Sequence, residues 1–117
     1  MNFNPYIYEA KIIDVYDGDT VTAEIDLGFH VKIKEKLRLS EINAPEIRGE
    51  EREEGKKSKI SLSELILGRE VVIYTERDKK GKYGRYLAEI FVKTENGSWI
   101  DVNKTLVEQG YAIFKSY

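Results

Sequence analysis

The sequence predicts a mainly β fold with two helices, an α+β arrangement built on a five-stranded barrel. Three observations carry that prediction. Five short segments show the alternation of apolar and polar residues that a half-buried strand requires, one helical stretch separates the third from the fourth, and a second short helix follows the fifth. Periodicity alone supports a small α+β barrel or sheet. The order three strands, helix, two strands, helix matches the five-stranded Greek-key barrel called the OB-fold.

The first strand runs from Tyr6 to Tyr16, rich in isoleucine, valine and tyrosine, and Asp17-Gly18-Asp19 breaks it. The second, Thr20 to Leu27, follows at once, so the pair reads as a hairpin closed by an Asp-Gly turn. After Gly28, VKIKEKLRLSEI forms the third strand, ending at Pro45, whose missing N–H suits a strand terminus. In RGEEREEGKKSKISLSELILG, Leu62, Leu65 and Ile66 recur at helical spacing, with Ser58 one turn before Leu62 and Gly68 as the C-terminal cap. Gly55 is a weak point near the start of this helix. Glu50, Glu51, Glu53 and Glu54 stand near its N-terminus, where they favour the helix dipole.

Arg69 to Glu76 forms the fourth strand and Tyr86 to Thr94 the fifth, separated by the polar loop RDKKGKYGR. Glu95-Asn96-Gly97-Ser98 turns into WIDV, where Trp99 reads as core packing. DVNKTLVEQG is a short helix capped by Asp101 and stopped by Gly110, with the apolar YAIF after it.

A chain of 117 residues fits one domain, residues 1–117, with length for a single core. Hydrophobic residues at 41% and charged residues at 34% exclude a disordered or fibrous chain. The absence of cysteine excludes disulfides, thiol nucleophiles and thiolate metal sites. A net charge of -2 excludes a phosphate binder that uses its whole surface, because such affinity comes mainly from lysine and arginine; nucleic-acid binding must be local. No apolar stretch approaches the roughly 20 residues that cross a bilayer, and the first residues lack a leader's pattern. The compartment stays open between the cytoplasm and, after removal of a leader, the exterior; nothing calls for a membrane or for more than a monomer.

Three stretches carry chemistry. In DVYDGDTV two carboxylates flank a glycine; this reads first as a hairpin turn and second as a source of hard oxygen ligands for Ca²⁺ or Mg²⁺. In LRLSEINAPE, Arg38 and Glu46 each read alone as ordinary surface residues, and together as a guanidinium fork for a phosphate beside a carboxylate able to deprotonate water. The loop from Arg77 to Arg85 has five basic residues against one acid, with Tyr83 among them. It reads first as a solvated charge run and second as a track for a phosphate backbone with a base-stacking aromatic. Arg85, after a glycine and before a strand, is the residue expected to point inward. His30, the only histidine, reads as a solvated side chain after a turn.

In this order and spacing, VYDGDTV, LRLSEINAPE and KYGR, followed by LVEQGYA, resemble the staphylococcal (micrococcal, thermonuclease) family of nucleases from about Ile7 to Ile113. The resemblance implies an OB-fold and Ca²⁺-dependent cleavage of DNA and RNA, favouring single-stranded or frayed substrates and leaving 3′-phosphates. It also implies site roles. Asp19 falls on a metal-binding aspartate, with Asp17 beside the ligands; Arg38 and Arg85 fall on the arginines that grip the scissile phosphate; Glu46 falls on the general base; Lys82 and Tyr83 fall on positions lining the nucleotide pocket. Asn43 stands where the best-known member has a second metal-binding aspartate, and Ala44 where it has a threonine whose backbone carbonyl meets the metal. An amide oxygen still coordinates Ca²⁺, with one negative charge fewer, so weaker metal binding is expected. Glu41 is a less favoured substitute carboxylate. Asn43 and the acidic balance support the alternative reading, an OB-fold module that binds nucleic acid or a protein without cutting.

Overall fold

The computed structural model describes residues 6–77 and 85–115. Along the chain these form β1 (Ile7–Asp17), β2 (Thr20–Asp26), β3 (Lys32–Leu39), β4 (Ile42–Asn43), α1 (Arg52–Ile66), β5 (Glu70–Arg77), β6 (Tyr86–Lys93), β7 (Trp99–Asp101), α2 (Val102–Glu108) and β8 (Ile113–Phe114). A single 3₁₀ turn, Gly49–Glu51, leads into α1.

Antiparallel pairing joins β1 to β2, β2 to β3, β1 to β5 and β5 to β6. A parallel seam, Leu37 opposite Tyr86 through Leu39 opposite Ala88, closes β3 onto β6. The result is a closed five-strand barrel in the predicted OB-fold order. Closure removes sheet edges, and it also sets the site: the parallel register brings the start of β6, and with it Arg85 immediately before, alongside the end of β3 that carries Arg38.

Alternation sends Ile12, Leu37, Leu39, Ile73 and Ile90 inward from the strands, and Leu62 and Ile66 of α1 and Leu106 of α2 meet them, all fully buried. In α1 the buried face is Ser58, Leu62 and Ile66, the four-residue spacing of one helix face. Gly68, at φ +76°, ends that helix and donates its N–H to Ile12 O at 2.8 Å. The carboxylate of Asp101 accepts from Lys104 N at 3.2 Å, as a cap should. No helix among the described residues is long and apolar enough to cross a membrane.

Two expectations are corrected. The third strand does not continue to Pro45: β3 stops at Leu39, and the chain turns through Ser40 and Glu41, the latter at φ +61°. The cause is the buried Asn103 of α2. Its amide nitrogen donates to Ser40 O (3.0 Å) and Ala88 O (3.1 Å), its oxygen accepts from Ile90 N (3.2 Å), and so it occupies the backbone groups where the seam would otherwise extend. The chain then resumes as β4, which pairs with β8 from the apolar tail. Trp99 is not core: it is 55% exposed, because β7 is three residues long and, among the described residues, pairs only with β6 at the sheet margin. Its ring lies 5.9 Å from the Lys93 ammonium.

Candidate active site

The hairpin tip between β1 and β2 places the first carboxylates. Asp17 Oδ1 accepts from Asp19 N at 3.0 Å, a side-chain-to-backbone bond that holds a tight turn. Asp19 O accepts from Leu39 N at 2.8 Å, which ties the tip to the end of β3. Gly18 sits so close to its neighbours that a Cβ there would lie 2.6 Å from Ser58 Cβ and 2.7 Å from Ala44 Cβ. The tip is thus pressed between α1 and the segment after β4, and Ser58 is itself fixed by donating to Tyr111 O at 2.7 Å.

The segment Asn43 to Glu46 forms the second wall. β4 pairs with β8 on one side, and Lys115 N donates to Glu41 O at 2.8 Å. On the other side the Glu46 carbonyl lies against Gly55 of α1, where an added Cβ would stand 2.0 Å from Glu46 O. Gly55, expected as a weak point of the helix, is therefore the seat on which the Glu46 backbone rests.

These walls, with β3 and the residue before β6, enclose a cleft of about 600 Å³ lined by Asp17, Asp19, Arg38, Asn43, Ala44, Glu46 and Arg85 among others. Seven of the nine residues singled out for the site share this one cleft. Lys82 and Tyr83 lie outside the described residues. Glu41 is exposed in the turn before β4 and does not line the cleft. His30 is exposed, at φ +63°, in the loop between β2 and β3.

Asp19 and Arg38 are the buried charges at the bottom, 7% and 6% exposed. Arg38 Nη2 lies 3.2 Å from Asp19 Oδ2 and donates to Asn43 Oδ1 at 2.6 Å, while Nη1 donates to Leu39 O at 2.7 Å. Asp19 Oδ2 also accepts from Ala44 N (2.8 Å), and Oδ1 accepts from Thr20 Oγ1 (3.2 Å). Burial pushes the Asp19 carboxyl up from 3.8 to about 6, against the pull of Arg38 and the Ala44 N–H; Asp17 adds to the rise. Burial thus outweighs the stabilisation that Arg38 and the Ala44 N–H give the charged form.

Hard oxygen donors in this cleft are the carboxylates of Asp19 and Asp17 and the amide oxygen of Asn43, which accepts from Arg38, and Ala44 adds its backbone to the lining. In kind they fit Ca²⁺. Among the described residues no three His, Cys, Asp or Glu side chains are grouped as a metal site, so amide, carbonyl and water oxygens would have to complete the coordination.

Sequence reasoning missed Tyr16, Thr20, Glu35 and Lys36, which also line the cleft. A signal for Lys36 was present in KIKEKLR: basic residues at every second position of one strand, ending at Arg38. No sequence signal marked Gly55 as a contact rather than a defect.

Among known proteins, an uncharacterised protein of Methanocaldococcus jannaschii is 32% identical over 126 aligned positions, covering 90% of this chain and 58% of the relative. An uncharacterised protein of Bacillus anthracis is 28% identical over 109 positions, covering 90% of this chain and 46% of the relative. The chain spans about half the length of these curated relatives. The hairpin carrying Asp17 and Asp19 precedes the part of the chain that matches a family, yet it packs directly on that part through Ala44, Ser58 and Leu39. Residues 36–117, from the end of β3 onward, match the family described as staphylococcal nuclease homologue, and the chain belongs to it.

Proposed function

We propose that the protein hydrolyses phosphodiesters of single-stranded DNA and RNA, with Ca²⁺ as cofactor and 3′-phosphates as products. One observation carries this reading: a single cleft holds two arginines, an exposed carboxylate and a buried carboxylate.

A phosphodiester is already an anion, and attack at phosphorus adds negative charge to its equatorial oxygens. Arg38 and Arg85 supply fixed positive charge where that charge grows, and such preorganised electrostatics commonly contributes more than any other single effect to catalysis of this kind. The bond from Arg38 Nη1 to Leu39 O orients the guanidinium before substrate arrives. Glu46, exposed on the cleft wall, takes the proton of the attacking water. The new bond joins the water oxygen to phosphorus, the bond to the 5′ oxygen breaks, that oxygen takes a proton from solvent to leave as a hydroxyl, and the phosphate stays on the 3′ side. Asp19, Asn43 and the Ala44 carbonyl are the groups that would hold Ca²⁺, with Asp17 beside them. When bound there, the ion would polarise the phosphoryl oxygen.

The test incubates purified protein with single-stranded DNA and millimolar Ca²⁺, with and without chelator. The expected result is cleavage that the chelator abolishes, with 3′-phosphate ends. Intact DNA at millimolar Ca²⁺ rules the reading out.

One observation favours the second reading, a module that binds without cutting. Arg38 is already engaged by Leu39 O, Asn43 and Asp19, so part of its charge is spent inside the protein before any phosphate arrives. Under this reading Ca²⁺ leaves the melting temperature unchanged, and oligonucleotides bind and remain intact.

A further inference from the structure

Tyr16 and Lys36 take no part in the reaction just described, yet both line its cleft. The β1–β2 ladder shows why Tyr16 faces outward. Val15 pairs with Val21 and Asp17 with Thr20, so Tyr16 has no residue opposite it. Such a bulge inserts one residue, bends the strand and re-aims a side chain; Val15 stays buried and Tyr16 is 45% exposed. Lys36 stands two residues before Arg38 on β3, and alternation puts both on the same face, since Leu37 and Leu39 fill the core. The separation along the strand is about 6.6 Å. The Lys36 ammonium lies 5.5 Å from the Tyr16 ring centroid, which holds an aromatic face and a cation together at the cleft mouth.

We infer that Tyr16 and Lys36 form a subsite for the next nucleotide along the strand, beyond the two that flank the scissile phosphate, its base stacking on Tyr16 and its phosphate meeting Lys36. The inference rests on the hydrolase reading of the cleft and adds where the strand runs beyond it. Aromatic faces combined with a basic groove are how single strands are held without sequence preference. Charge limits the subsite's extent. Lys36 is opposite Thr22, a neutral residue, whereas Lys34 is opposite Glu24, which also lies 4.0 Å from the Lys32 ammonium. Lys36 thus has no acid opposite it on β2, unlike Lys34, and stands on the same face as Arg38. In a chain of net charge -2, such a local pair is where affinity for a polyanion can arise.

The experiment compares kcat/KM for a dithymidylate and a hexathymidylate with Ca²⁺ present, in the wild type, Tyr16→Ala, Tyr16→Phe and Lys36→Ala. The ratio of hexamer to dimer is expected to fall about 5- to 100-fold in Tyr16→Ala, the usual effect of losing one stacking platform, and to be retained in Tyr16→Phe. Lys36→Ala is expected to lower the slope of log affinity against log salt by about 0.7, one phosphate contact on a single strand. An unchanged ratio in Tyr16→Ala, or a salt slope unchanged in Lys36→Ala, overturns the subsite while cleavage of the dimer keeps the hydrolase reading. If the wild type cleaves neither oligonucleotide, the hydrolase reading fails instead. The subsite is then decided by fluorescence anisotropy of a labelled hexathymidylate: weaker binding by Tyr16→Ala with rescue by Tyr16→Phe supports it, and equal binding overturns it.

Discussion

Replacing Arg38 with methionine keeps an unbranched apolar stem and removes the guanidinium and its charge. The guanidinium sits 3.2 Å from Asp19 Oδ2, with both residues buried. At an effective dielectric near 20, a unit charge pair at that distance is worth about 5 kcal/mol. Removing one partner of a buried pair typically costs about 3–5 kcal/mol, because the other is left uncompensated. That is a large part of a domain's usual stability of about 5–15 kcal/mol. Urea unfolding of metal-free protein at pH 8 should therefore show Arg38→Met less stable than wild type by about 3–5 kcal/mol.

The loss should also depend on pH, in a direction the Asp19 carboxyl determines. Its pKa in the fold, about 6, is above the ordinary 3.8, so between these values the folded state binds a proton that the unfolded state does not. Stability from this group thus grows as pH falls through 6 towards 4 and is absent above. Arg38 pulls the carboxyl down; without it the folded pKa rises further, and protonation relieves the buried charge sooner. The deficit of Arg38→Met should therefore shrink between pH 8 and pH 5. The double variant Asp19→Asn/Arg38→Met should recover much of it, giving a coupling well above the few tenths of a kcal/mol that independent sites show. A loss below about 1 kcal/mol at pH 8 would refute the electrostatic account of the cleft floor, as would one equal at both pH values.

Asn43→Asp restores a carboxylate to the proposed ligand set and should tighten Ca²⁺ binding by about tenfold or more, within the roughly 4 kcal/mol that bounds one added charge pair; calorimetry showing no change would mean that Asn43 is not a ligand. Glu46→Gln should lower cleavage by about 10²- to 10⁴-fold, the range for a positioned base, while oligonucleotide binding by anisotropy persists; undiminished cleavage removes Glu46 from the mechanism. Gly55→Ala sets two effects against each other, a helix-propensity gain of about 1 kcal/mol and overpacking of about 1–3 kcal/mol. The 2.0 Å approach of the new Cβ to the Glu46 carbonyl makes overpacking win, so both the unfolding midpoint and cleavage should fall, and a stabilised variant would contradict the contact.

What the sequence discloses and what it hides divide along physical lines. Strand alternation, the apolar face of α1 and the caps at Gly68 and Asp101 are local patterns, and the barrel follows from their order. The motif residues that converge in the cleft were legible because each occupies a turn or a strand end, where side-chain chemistry stands out from packing. Contacts between distant segments were not. That Ser40 turns instead of extending depends on Asn103, 63 positions away. That Gly55 is a seat depends on Glu46, and that Trp99 lies outside depends on β7 lying at the margin of the sheet beside β6. The bulge that turns Tyr16 into the cleft likewise exists only in the register between two strands.

The most direct test of the central claim is a crystal structure with Ca²⁺ and a deoxythymidine carrying phosphates on both its 3′ and 5′ oxygens. The account predicts a cation about 2.3–2.6 Å from oxygens of Asp19 and Ala44, and one phosphate gripped by Arg38 and Arg85 with Glu46 facing it. A nucleotide bound elsewhere on the barrel, with Arg38 still joined to Asn43 and no cation at Asp19, would contradict it.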